Sequence, residues 1–153
     1  MSMLLCSVSE YPDVCHVIKR IVALGGDPSF EDHLTTPEDE RIRFLDGGLS
    51  SGGSPLGCSI MGAAWHNRDT LDTTRCLISC GANVNGITSS GCSYTVVQSA
   101  IVFEQYEHLK LLLANGADPY QEYKYSEFDH PNAVDLASRD KYAMKILRPY
   151  RRK

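Results

Sequence analysis

Cys76 and Cys80 stand four residues apart, a spacing that sets two thiols on one face of a helix, and His66 lies upstream, so a metal site can be drawn. Structural zinc sites use tight paired ligands in a turn, however, and Cys76 falls where its surroundings want a buried apolar residue. Core packing is the better reading, and no metal is expected. Cys92, in a glycine-flanked turn, is the candidate nucleophile, but no sequence feature holds His108 or His130 beside it as a base. Glu38, Asp39 and Glu40 could act as an acid pair. With Pro37 before them and Arg41 after, they read as the first turn of a short helix, favoured by its dipole. The run DGGLSSGGSPLG lacks the Gly-Lys-Ser/Thr ending of a phosphate loop and any preceding strand, so it reads as a linker. No catalytic residue and no cofactor are expected. The alternative from another class is a regulatory or catalytic subunit that uses a cysteine site.

With no reaction centre nominated, the question becomes what the chain builds. Its 153 residues suit one domain with a continuous core, and 42% apolar with 22% charged residues is ordinary globular composition. A net charge of −4 excludes a general phosphate-backbone binder, so no nucleic acid is expected as a partner. The basic tail Arg148-Pro-Tyr-Arg-Arg-Lys153 is an exception that reads as a solvated terminus. The apolar run at residues 3 to 8 has no basic leader and is too short for a secretory core or a membrane span. No membrane partner is expected. The six cysteines (Cys6, Cys15, Cys58, Cys76, Cys80 and Cys92) mostly sit in apolar helical patterns, which predicts unpaired buried thiols in a reducing cytoplasm.

The chain repeats itself. VIKRIVALGGDPS (17 to 29), TTRCLISCGANVN (73 to 85) and HLKLLLANGADPY (108 to 120) share a layout: a short apolar helix, a Gly that ends it, then Asp or Asn followed by Pro or Val. Leu109, Leu112 and Leu113 make one apolar stripe, and Leu111 widens it for two neighbours. Gly25, Gly81 and Gly116 are placed to close their helices in the left-handed conformation, and the residues that follow start a turn. Upstream of each lies a second apolar segment, LLCSVSE, PLGCSIMGAAW and TVVQSAIV. A fourth, degenerate copy is NAVDLASRDKYAMKILRPY, residues 132 to 150.

On these residues the pattern resembles the ankyrin repeat. Leu111-Leu112-Leu113 with Gly116-Ala117-Asp118-Pro119, and Cys76-Leu77-Ile78 with Gly81-Ala82-Asn83-Val84-Asn85, carry the closest matches. Ser54-Pro55-Leu56 and, more loosely, Thr95-Val96-Val97-Gln98 stand where the family has Thr-Pro-Leu, and Asn132 to Ala137 looks like a terminal capping unit. The resemblance implies an all-α, ankyrin-like helical repeat solenoid of about four helix-turn-helix units with long turns. A single domain, 1–153, would hold units at about 4–29, 54–86, 92–119 and 131–150. The family's His after Thr-Pro-Leu is missing: Ser7, Gly57, Gln98 and Asp135 take its place. Gly25 and Gly81 are 56 residues apart against a unit of about 33, so an acidic, Gly/Ser-rich insertion at 30–53 must be housed between units one and two. A smaller surplus in MGAAWHNRDT lengthens the first helix of unit two or its turn.

A stack of such units offers a concave helix face and projecting turns, a surface suited to proteins. The resemblance implies a non-enzymatic protein-binding module, an adaptor or an inhibitor of immunity type, that is monomeric when free and cytoplasmic, or inside a host cell if it is an effector. The expected contact residues are Tyr120, Glu122, Tyr123, Tyr125, Glu127, Phe128 and Asp129, on a long turn rich in aromatic and acidic side chains. Trp65 and His66 join them as a contact pair at a helix end, with Trp65 alternatively packing against the insertion. Glu31, Asp32, Glu38, Asp39 and Glu40 would make this turn face acidic and draw a basic partner protein.

Overall fold

The computed structural model describes residues 1–31, 53–88, 94–122 and 132–150. These residues form helices in four successive pairs: α1 (Ser2–Ser9) with α2 (Cys15–Ala23), α3 (Pro55–His66) with α4 (Leu71–Ser79), α5 (Val96–Val102) with α6 (Tyr106–Ala114), and α7 (Ala133–Leu136) with α8 (Lys141–Leu147). A 3-10 turn at Ala137–Arg139 extends α7, and another at Arg148–Tyr150 follows α8. The described residues contain no strand, only an isolated antiparallel bridge between Ile87 and Thr95. The protein is all-α.

Local chemistry sets the ends of these helices. Ser54, Thr95 and Asn132 precede α3, α5 and α7, and each side chain accepts from a backbone amide of the first turn. Thr95 and Gln98 complete a capping box, which commits the Gln98 side chain. At Gly57 a Cβ would come within 2.5 Å of the Thr88 carbonyl oxygen, so the close backbone approach excludes any side chain. The second helices of the first three pairs end identically. Gly25, Gly81 and Gly116 are left-handed at φ 91°, 94° and 88°. Their amides reach back to Val22, Ile78 and Leu113, while the amides of Gly26, Ala82 and Ala117 reach Ile21, Leu77 and Leu112. Asp27, Asn83 and Asp118 then each accept from the amide two residues on, at 2.8, 3.0 and 2.9 Å. One hydrogen-bonded cassette is thus built three times. The turns inside the first three pairs also match, with Asp13, Asn67 and Glu104 at φ 58°, 49° and 55°.

Packing runs between pairs as well as within them. In one row α1 contacts α3, α3 contacts α5 and α5 contacts α7; in the other α2 contacts α4, α4 contacts α6 and α6 contacts α8. A single apolar cluster threads all four pairs through Leu5, Ile18, Ile60, Leu77, Leu112 and Leu147, with Ile146 packed against it. Leu109, Leu112 and Leu113 are fully buried or nearly so, as their stripe requires. The surplus in MGAAWHNRDT lengthens α3 to 12 residues, against 8 in α1 and 7 in α5.

One expectation is corrected. Cys15 and Cys76 are bonded as a disulfide between α2 and α4, their Cα atoms 5.7 Å apart, so the reading of all cysteines as unpaired thiols fails for this pair. The reason lies in the stacking: Cys76 occupies the buried face of α4 that meets the start of α2, and that face is where Cys15 points. Closing 61 residues of chain contributes ~4 kcal/mol on a chain-entropy account. Cys6 and Cys58 are buried thiols as expected, and Cys80 is a half-buried one. The Glu31 Oε1 accepts from the Ile87 amide at 3.2 Å and ties the end of the first turn to the second pair.

Leu112→Ala is expected to destabilise the fold by roughly 2–5 kcal/mol and Gly57→Ala by roughly 1–3 kcal/mol, from a cavity and from a backbone clash respectively, as read from urea denaturation midpoints at unchanged slope.

Candidate functional site

Of the residues nominated for partner contact, Tyr123, Tyr125, Glu127, Phe128 and Asp129 lie outside the described residues, as do Asp32, Glu38, Asp39, Glu40 and Cys92. Tyr120 and Glu122 are described. Tyr120 is half-buried, its amide held by Asp118, and Glu122 is exposed at the end of that turn. The turn is tied to its neighbour, because the Asp118 amide donates to Asn85 Oδ1 at 2.8 Å and Gln121 Nε2 donates to the Asn85 carbonyl at 2.8 Å.

Trp65 and His66 part company. Trp65, near the end of α3, is 54% exposed and meets Phe103 just past α5 edge to face, with ring centroids 5.9 Å apart and planes at 84°. Such a pair contributes about 0.5–1.5 kcal/mol beyond burial, yet it leaves most of the indole in water. The ring therefore bridges two consecutive helix pairs. Leu4 on α1 and Val102 on α5 are exposed as well, at 51% and 38%, so each of the first three helices in this row presents a large apolar side chain to solvent. Phe103 was not singled out in the sequence. Its signal was there, directly after an apolar helix, but only the stacking brings it to Trp65.

His66 turns toward the first pair, its Nε2 3.9 Å from Glu10 Oε2. Arg68 reaches the same carboxylate at 4.0 Å, donates from a terminal guanidinium nitrogen to the Glu10 carbonyl at 3.2 Å, and lies 4.0 Å over the Tyr11 ring. Burial pushes the Glu10 carboxyl above its ordinary 4.5, and the neighbouring His66 and Arg68 charges pull it back. This polar joint holds pair one to pair two, helped by the Thr73 hydroxyl donating to the Tyr11 carbonyl at 2.8 Å.

Between the turns of pairs two and three opens a cleft of about 580 Å³, bordered by Arg68, Asp69, Glu104, Gln105, Glu107 and His108. His108 forms its floor and is 5% exposed. Its Nε2 lies 3.3 Å from the Thr70 hydroxyl, which itself donates to the Ser59 carbonyl at 2.6 Å. With that hydroxyl proton committed, the imidazole must donate, which places a proton on Nε2. Ser59 and Thr74 hydroxyls, 2.9 Å apart, extend the network into the core of pair two. His108 therefore serves as a polar rivet between pairs, set where the other second helices carry aliphatic or small side chains. Among the described residues, no three His, Cys, Asp or Glu side chains converge as metal ligands would. No helix among them is long and apolar enough to cross a membrane.

No known family model and no curated protein matches this sequence.

Burial lowers the His108 pKa below 6.5, against the pull of Asp69, the Thr70 backbone and Glu107. Folding thus disfavours its proton: the stability tied to the neutral ring is fully present above pH 6.5 and is lost as pH falls from there toward the lower folded value. Denaturation midpoints measured across that window are expected to fall faster for the wild type than for His108→Gln, which keeps a donor for Thr70 but cannot titrate.

Proposed function

We propose that the chain is a non-enzymatic protein-binding module, an ankyrin-like stack of four helix pairs that grips a partner protein with its first-helix row and adjoining turn tips. Support for the ankyrin-like reading comes from the thrice-built cassette at Gly25, Gly81 and Gly116 and from the two continuous rows of helices. The binding reading is carried by the Trp65–Phe103 pair: a tryptophan left half in water at the junction of two pairs is an anchor awaiting a cover. Exposed Leu4 and Val102 continue the apolar character along the same row. The net charge of −4 favours a partner whose contact surface is basic, since opposite fields steer encounter and suppress wrong pairings.

A photo-crosslinking residue placed at 65 in the intact chain tests this directly, with the exposed Arg75 of the other row as the control position. Capture of one partner from 65 and not from 75 is expected; equal labelling from both positions would discard the first-helix row as the binding face. Once the partner is in hand, Trp65→Ala is expected to weaken its binding about 30-fold, near 2 kcal/mol, while lowering the unfolding free energy by about 1–2 kcal/mol and leaving the chain folded.

A further inference from the structure

We propose that Cys15 and Cys76 are a reversible thiol–disulfide exchange site, which locks the first helix pair to the second when oxidised by a small-molecule disulfide and releases it when reduced. The geometry meets both states. Cys15 opens α2 and Cys76 sits mid-way along α4, with Cα atoms 5.7 Å apart, inside the range a disulfide spans without moving backbone. In the open state the Cys76 thiol also has a partner waiting, because its Sγ lies 3.6 Å from the Cys15 carbonyl oxygen.

Exposure sets the order of events. Cys76 is 4% exposed, whereas Cys15 is half-buried at the rim of the joint, where a small reagent can reach it. The Cys15 thiolate attacks a disulfide RSSR, forming Cys15–S–SR and expelling RS⁻; the Cys76 thiolate then attacks the Cys15 sulfur, forming the protein bond and expelling the second RS⁻. Two protein thiols lose two protons and two electrons, and one RSSR becomes two RSH. Reduction runs the same steps backward.

The other described cysteines support reversibility over a permanent staple. Among the described residues Cys6, Cys58 and Cys80 stay thiols, a mixture that fits a chain meeting a reducing medium and closing one bond under oxidation. The bond also spans a joint between pairs. Among the described residues pair one packs on pair two, through α1 on α3 and α2 on α4, while 61 residues separate the two cysteines. A bond across that interface controls how readily the two pairs part.

The test equilibrates the full chain in glutathione buffers of graded oxidised-to-reduced ratio. Differential alkylation with peptide mass spectrometry reads the link, and amide hydrogen exchange reads α1 and α2. A Cys15–Cys76 peptide that grows with oxidised glutathione and vanishes on reversal is expected, with exchange in α1 and α2 slowed at least about ten-fold in the oxidised chain. Cys15→Ser should lose both responses and Cys80→Ser should keep both. A link that survives the reducing buffers in folded protein, a link to another cysteine, or equal exchange in both redox states would each overturn the proposal. The wild-type comparison alone decides if Cys15→Ser does not fold.

Discussion

No helix pair in this protein can bury its own apolar surface; each needs the next. Leu112 is the plainest case, since it packs in a cluster reaching from Leu5 in the first pair to Leu147 in the last. A helix of nine residues is too short to be stable alone in water, so α2, α4 and α6 exist because both flanks are covered. From this constraint follow the two rows of helices, the identical turns that return the chain to start the next pair, and the small residues wherever backbones approach. Gly57 against Thr88 and Gly62 against Glu10 are places where even one methyl group would force adjacent pairs apart.

Shared seams also decide where polar groups can go. Each joint carries its own device: Glu10 with His66 and Arg68 between pairs one and two, His108 with Thr70 between pairs two and three, and the Tyr106 hydroxyl donating to Asp140 at 3.0 Å between pairs three and four. A buried charge or imidazole is expensive unless it is answered, and these groups are answered across the joint. They make the apolar seam specific, since a slip in register would strand them. Trp65 is the exception. It bridges two pairs through Phe103 and still faces water, which separates it from side chains whose work is complete within the fold.

Much of the fold was legible in the sequence because its determinants are local. Gly25, Gly81 and Gly116 announce left-handed helix ends, the Asp or Asn two residues later announces a turn, and the Leu109-Leu112-Leu113 stripe announces its buried face. What escaped depends on distance in sequence. Nothing near Cys15 in the chain points to Cys76, and the repeat pattern itself argued for an apolar partner there. Glu31 reads as one more acid in an acidic stretch until the Ile87 amide is seen in front of it. His66 follows Trp65 in sequence, but successive helix residues diverge by about 100°, so the two were free to serve different neighbours. His108 was dismissed as a base, and its role as a donor between pairs needed Thr70, brought close only by stacking.

The last pair is built on a smaller scale than the others. Its first helix, α7, has four residues, and with its 3-10 extension it meets the cluster through Ala133, Leu136 and Ala137, where α3 offers Leu56 and Ile60. Alanines remove far less surface from water than leucines do, so this pair is held less firmly than the second. A pull or a rise in temperature would loosen it before the second pair parts.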